Sequence, residues 1–102
     1  MHLRFQNNQV SLHGITLPLM TALTAAMRVW ALHGQQTITI VKMLKEEREK
    51  DNLTYETQII VLQTRAIQDV WSLLDALDYQ LGYQYQISID GDRVTIEYDE
   101  QQ

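Results

Sequence analysis

The hydrophobic period changes twice along this 102-residue chain, from two at the start to about 3.6 in the middle and back to two at the end. Near the end, Tyr83, Tyr85, Ile87 and Ile89 alternate with polar residues, and Val94, Ile96 and Tyr98 do the same after Asp90-Gly91-Asp92-Arg93. Alternation of this kind puts every second side chain on one face of a strand. A two-residue turn at Gly91-Asp92 sets Ile89 opposite Val94, Ile87 opposite Ile96 and Tyr85 opposite Tyr98, all on one side. Gly91 takes the unusual backbone conformation of such a turn without steric cost. Asp90 then stands opposite Arg93 as a cross-strand ion pair.

The opening residues follow the same logic. Leu3 and Phe5 alternate with polar residues before the turn-prone Asn7-Asn8, and Val10 and Leu12 do so after it. A first hairpin is therefore predicted, with Phe5 facing Val10 and Leu3 facing Leu12. Between the ends the helical period takes over. Thr16 can cap a helix with Pro18 in its first turn, Met20, Leu23, Met27 and Trp30 mark its apolar face, and His33-Gly34 ends it. The stretch from Thr37 to Lys50 is ambiguous: Thr37-Ile38-Thr39-Ile40-Val41 has strand chemistry, but Ile38, Val41 and Leu44 recur every three residues. Helix is preferred there because Lys45 to Lys50 are good helix formers. A turn near Asp51-Asn52 leads into a long helix over about residues 52–81, ended by Gly82. Ile59, Ala66, Val70, Leu73 and Leu77 form its stripe, and Ile60, Ile67, Trp71, Leu74 and Leu81 widen it. The expected architecture is a single α+β domain over residues 1–102, in the order ββ-α-α-α-ββ, with antiparallel hairpins at both termini packed against central helices.

Charge divides unevenly. Residues 1–68 hold seven Lys/Arg and five Asp/Glu, a net of +2, whereas residues 69–102 hold one Lys/Arg and eight Asp/Glu, a net of −7. The acidic third repels a phosphate backbone and suits a basic protein partner. Lys42, Lys45, Arg48 and Lys50 recur at helical spacing, but Glu46, Glu47 and Glu49 interleave with them, so nucleic-acid binding is disfavoured. There is no cysteine, which removes disulfides and thiolate metal sites and suits a reducing compartment. No basic leader precedes an apolar stretch, and no run reaches the ~18 apolar residues of a span. The expected location is cytoplasmic, with no membrane partner.

Groups for chemistry are sparse. His2 and His13 would face each other across the first hairpin, but two ligands fall short of a stable site. Asp90-Gly91-Asp92 lacks the rest of a calcium-loop pattern, no nucleophile–base arrangement is present, and the four glycines form no phosphate loop. The chain is therefore read as non-enzymatic, without metal or other cofactor. No motif is specific enough to assign a family. What remains is surface. Asp75, Asp78, Tyr79, Tyr83, Tyr85, Glu97, Tyr98 and Asp99 form a candidate acidic, tyrosine-rich partner surface, although the tyrosines also suit a sheet–helix core. The surplus width of the long helical stripe points to burial against a second copy, hence a homodimer. The favoured function is a small protein-binding domain of regulatory, adaptor or inhibitor type. The alternatives are a structural subunit of a homo-oligomeric assembly and a small-molecule-binding domain.

Overall fold

The computed structural model describes residues 1–7 and 9–100. Its elements are β1 (His2–Phe5), α1 (Leu17–Leu32), β2 (Thr37–Lys50), β3 (Leu53–Gln63), α2 (Val70–Leu81), β4 (Tyr85–Asp90) and β5 (Arg93–Asp99). The chain thus has two helices rather than three, in the order β-α-β-β-α-β-β, and one five-stranded sheet in the order β1-β2-β3-β5-β4. β1 runs parallel to β2, and every other neighbouring pair is antiparallel. Because β3 and β4 are both antiparallel to β5, they are parallel to each other, with β5 inserted between them.

The C-terminal hairpin forms in the register its alternation dictates. Asp90 stands opposite Arg93, Ile89 opposite Val94, Ile87 opposite Ile96 and Tyr85 opposite Tyr98, around a turn in which Gly91 has φ of 61°; the expected Asp90–Arg93 ion pair does not form among the described residues. α1 likewise starts from Thr16, whose hydroxyl accepts from the Leu19 N–H at 3.5 Å, with Pro18 in the first turn and His33 at the C-cap. Its inner face is Leu19, Ala22, Leu23, Ala26, Val29 and Trp30, while Met20 is half exposed.

Three expected features are replaced. The N-terminal hairpin does not form: Leu3 pairs with Ile38 and Phe5 with Ile40 in the parallel β1–β2 ladder. Asn8, half of the expected turn, lies outside the described residues. Leu12 is exposed, and Val10 packs against the main core from the loop instead. Alternation in Leu3-Arg4-Phe5 fits any strand partner, and the apolar run of β2 is the better one.

Thr37–Lys50 is a strand, not a helix. The register between β2 and β3 shifts between Ile40 and Lys42, so Val41 is an extra residue in a bulge. Ile38, Ile40 and, beyond the bulge, Met43 lie on the side of the main core. Val41 and Leu44 lie on the opposite side, in a separate cluster with Ile59 and Val61. A bulge thus turns a period of two into a local step of three, which imitates a helix. The good helix formers Lys45 to Lys50 are overruled because pairing with β3, from Lys45↔Gln58 to Lys50↔Leu53, satisfies their backbone.

The long helix over 52–81 is also replaced. Asp51 and Asn52, with φ of 54° and 63°, make the tight turn of a β-hairpin. β3 follows, and only Val70–Leu81 is helical, capped by the Asp69 carboxylate, which accepts from the Ser72 N–H at 3.1 Å. The width attributed to one helical stripe belongs to a central strand buried on both faces. Ile60 and Leu62 face the helices; Ile59 and Val61 face away.

Both helices lie on one face of the sheet. Leu73 and Leu77 of α2 are fully buried with Ile60, Leu62, Val94 and Ile96. A polar link fixes α1 to the sheet: the Thr16 hydroxyl also bonds to Oε1 of Gln58, a buried residue at the middle of β3. Truncating Leu77 to Ala should cost about 2–5 kcal/mol by denaturant unfolding. Tyr79→Ala on the outer side of the same helix should change stability by less than about 0.5 kcal/mol.

Candidate functional site

The eight acidic and tyrosine residues singled out from the sequence separate into three places. The first is the outside of α2. With Leu73 and Leu77 turned inward, Trp71, Asp75, Asp78 and Tyr79 fall on the solvent side at helical spacings of four, seven and eight. Trp71 is 73% exposed and Tyr79 92%. Gly82, with φ of 80°, ends the helix and turns the chain so that Tyr83 is also 86% exposed. No Lys or Arg occurs between Arg65 and Arg93. Among the described residues, no ion pair involves Asp75 or Asp78.

The second place is the core. Tyr85 is 9% exposed and its hydroxyl donates to the Pro18 carbonyl at 3.0 Å, pinning β4 to the first turn of α1. The half-buried Tyr98 ring lies 5.2 Å from it, inclined at 48°, within the range of favourable aromatic pairs. Tyr85 is therefore a packing residue and leaves no surface for a partner.

The third place is the sheet face opposite the helices. Glu97 lies beside Ile59 in the register and approaches the Arg48 guanidinium at 3.6 Å. Asp99 accepts from the buried Thr57 hydroxyl at 2.7 Å. These carboxylates are occupied by their own chain, on the far side of the sheet from Asp75 and Asp78. Arg48 also contacts Glu46 at 3.2 Å, and that hydrogen bond, more than the charge of Glu97, pushes its pKa up from the ordinary guanidinium value.

One contributor, Trp71, stands one or two turns upstream of the tyrosine group in the sequence and was also counted in the expected long helix. Trp71 fell in that helix's apolar stripe, yet it lies on the outer surface. The local signal was present, since Trp71 precedes Asp75 by four residues and Tyr79 by eight. The histidines do not converge: His2 pairs with Thr37 in β1, while His13 lies in the loop before α1. Among the described residues, no three His, Cys, Asp or Glu are grouped to hold a metal ion. No helix among them is long and apolar enough to cross a membrane. A cleft of about 210 Å³ lies between the loop before α1 and Met43–Lys45 of β2, and a wider one of about 440 Å³ lies beside Gln6, Val41–Met43 and Arg93; both open broadly to the surface.

No family model, curated protein or solved structure matches the chain. The residues themselves carry the functional reading.

Burial raises the Tyr85 pKa above its usual 10.0, aided by the nearby Tyr98 and opposed by a hydrogen bond with Thr21. A raised folded-state value favours the neutral phenol, so its stabilising contribution is complete below pH 10 and declines as pH rises through the folded value. Tyr85→Phe should cost about 1 kcal/mol at neutral pH through the lost bond to Pro18. Denaturant midpoints measured from pH 8 to 11 should fall less steeply in that variant than in the unmodified protein.

Proposed function

We propose that this domain is a non-enzymatic protein-binding module, of regulatory, adaptor or inhibitor type, whose α2 exterior receives a basic segment of another protein. The observation carrying this reading is the exposure of Trp71, Tyr79 and Tyr83 on and just after α2, together with two carboxylates of that helix that form no ion pair among the described residues. A solitary exposed aromatic residue is ordinary; three of them beside unpartnered acids make a patch. Arg or Lys answers both components. A guanidinium can donate two parallel N–H bonds to a carboxylate and stack on an aromatic face, at about 0.5–2 kcal/mol per cation–π contact depending on desolvation. Trp and Tyr supply rigid contact area with few side-chain torsions to freeze, which is why they dominate interface hot spots.

The homodimer reading loses its motive. Its surplus apolar stripe does not exist as one helix face; those residues divide among the two sides of β3, the loop before α2, the inner side of α2 and, for Trp71, its outer side. The net charge of −7 over residues 69–102 also opposes bringing two copies together there.

The two tryptophans make a direct test. Trp30 is 2% exposed and Trp71 73%, so a ligand on α2 should shift the emission of Trp71 alone. Titration with an arginine-rich peptide at low salt should blue-shift the emission, and Trp71→Phe should abolish that change. Asp75→Lys with Asp78→Lys should weaken binding by roughly tenfold or more, equivalent to about 1.4 kcal/mol. Unchanged affinity in the charge-reversed protein would overturn the proposal.

A further inference from the structure

The sheet ends in two edges of opposite character. β1 covers β2 only from Thr37 to Ile40, so among the described residues no strand pairs with the outer edge of β2 beyond that point. That edge carries a bulge at Val41 and seven charged residues between Lys42 and Lys50. Bulges and charges are the devices by which proteins stop an edge from accepting another strand. β4, at the other end, pairs only with β5 and contains no Lys, no Pro and no register shift; its one charge is Asp90, at its last position.

The hydrogen-bond phase of β4 follows from its turn. Asp90 and Arg93 close a two-residue connection and direct their backbone groups at each other. Alternation then turns Gln86 and Ser88 toward β5, and Ile87 and Ile89 outward. Tyr85 shares the outward phase, and its N–H is taken by the Gly82 carbonyl at 3.3 Å. Ile87 and Ile89 have no such bond from a turn or loop among the described residues. Their N–H and C=O groups therefore form an open ladder. Their side chains are half-buried against the main core, so an apolar side chain placed beside them would extend it. Gln86 and Ser88, on the other side of the strand, are exposed and polar.

The surroundings decide the occupant. Asp90 ends β4, and α2, the helix packed against β4, carries Asp75 and Asp78, while Arg93 is the one basic residue after Arg65. A second copy would set two such regions against each other, whereas a basic segment gains from them. We propose that the β4 edge takes an extended segment of a partner protein, alternating apolar and basic residues, as a sixth strand. This rests on the protein-binding reading and specifies the backbone mode of recognition, strand addition.

The test uses the full chain labelled with ¹⁵N and a capped heptapeptide, Lys-Val-Lys-Val-Lys-Val-Lys. Saturation should slow hydrogen exchange at the Ile87 and Ile89 amides at least tenfold, with little change at Gln86 and Ser88. N-methylation of alternate peptide residues, in the phase that faces β4, should abolish this protection, and the Glu-Val counterpart should not bind. Gln86→Lys with Ser88→Lys, both at exposed positions, should keep the fold and lose the peptide. Saturable binding that leaves Ile87 and Ile89 unprotected overturns the edge proposal, and if it moves Trp71 and Tyr79 the α2 reading stands alone. Equal binding of the Glu-Val peptide overturns the assigned chemistry. Protection of the same amides by self-association without peptide overturns the assigned occupant. Absence of binding to any basic peptide at millimolar concentration overturns both proposals.

Discussion

β3 is the strand on which the other parts depend. It is the middle strand of five, and Ile59, Ile60, Val61 and Leu62 are buried in succession on alternating faces. One face seats both helices through Ile60 and Leu62; the other holds the small cluster of Ile59 and Val61 with Val41 and Leu44. No strand here can be removed from the centre without exposing apolar surface on two sides, at about 25 cal/mol per Å². Gln58 adds directional bonding at the same place. Buried at 3% exposure, it bonds to Thr16 and donates to Glu56 and Glu100, so the helix cap and two strands meet on one amide side chain.

The sequence was legible where one physical signal acted alone. In the C-terminal hairpin, alternation, the turn residues and the Asp90–Arg93 pairing all specify one register, and the protein adopts it. α1 was legible for a similar reason: Thr16, Pro18 and Gly34 bracket a stretch with a helical apolar face. The middle was not, because two signals superposed. The bulge at Val41 displaced the apolar phase of β2, and two-sided burial erased the alternation of β3. Lys45 to Lys50 misled in a different way, since residues that favour a helix also guard a strand edge with charge. The turn at Asp51-Asn52 was located correctly, but it joins strands rather than helices.

Site legibility followed the same division. Asp75, Asp78 and Tyr79 lie near one another in sequence and share the outer face of α2, and Tyr83 is exposed just past the helix end. Tyr85, Glu97, Tyr98 and Asp99 were grouped with them by composition and by position in the chain. Strand geometry separates them, because neighbouring residues of β5 point to opposite faces. Thus Glu97 and Asp99 accompany Arg48 and Thr57, while Tyr98 joins Tyr85 on the helix side. An acidic third of the chain is not one acidic surface. The part that remains open is the outside of α2, the helix that packs against β4, and it is next to the less guarded edge of the sheet.

The insertion of β5 between β3 and β4 orders the assembly of the sheet. β4 follows α2 in the chain, yet among the described residues it pairs with no strand except β5, which comes after it. It cannot join the sheet by growing outward from β3. Its place in the sheet depends on β5, to which a two-residue turn joins it, and the long-range pairing that holds both strands is that of β5 with β3. Without β5, one flank of the Ile59–Leu62 run has no neighbour, which makes it the segment an incomplete chain would most need to shield from association.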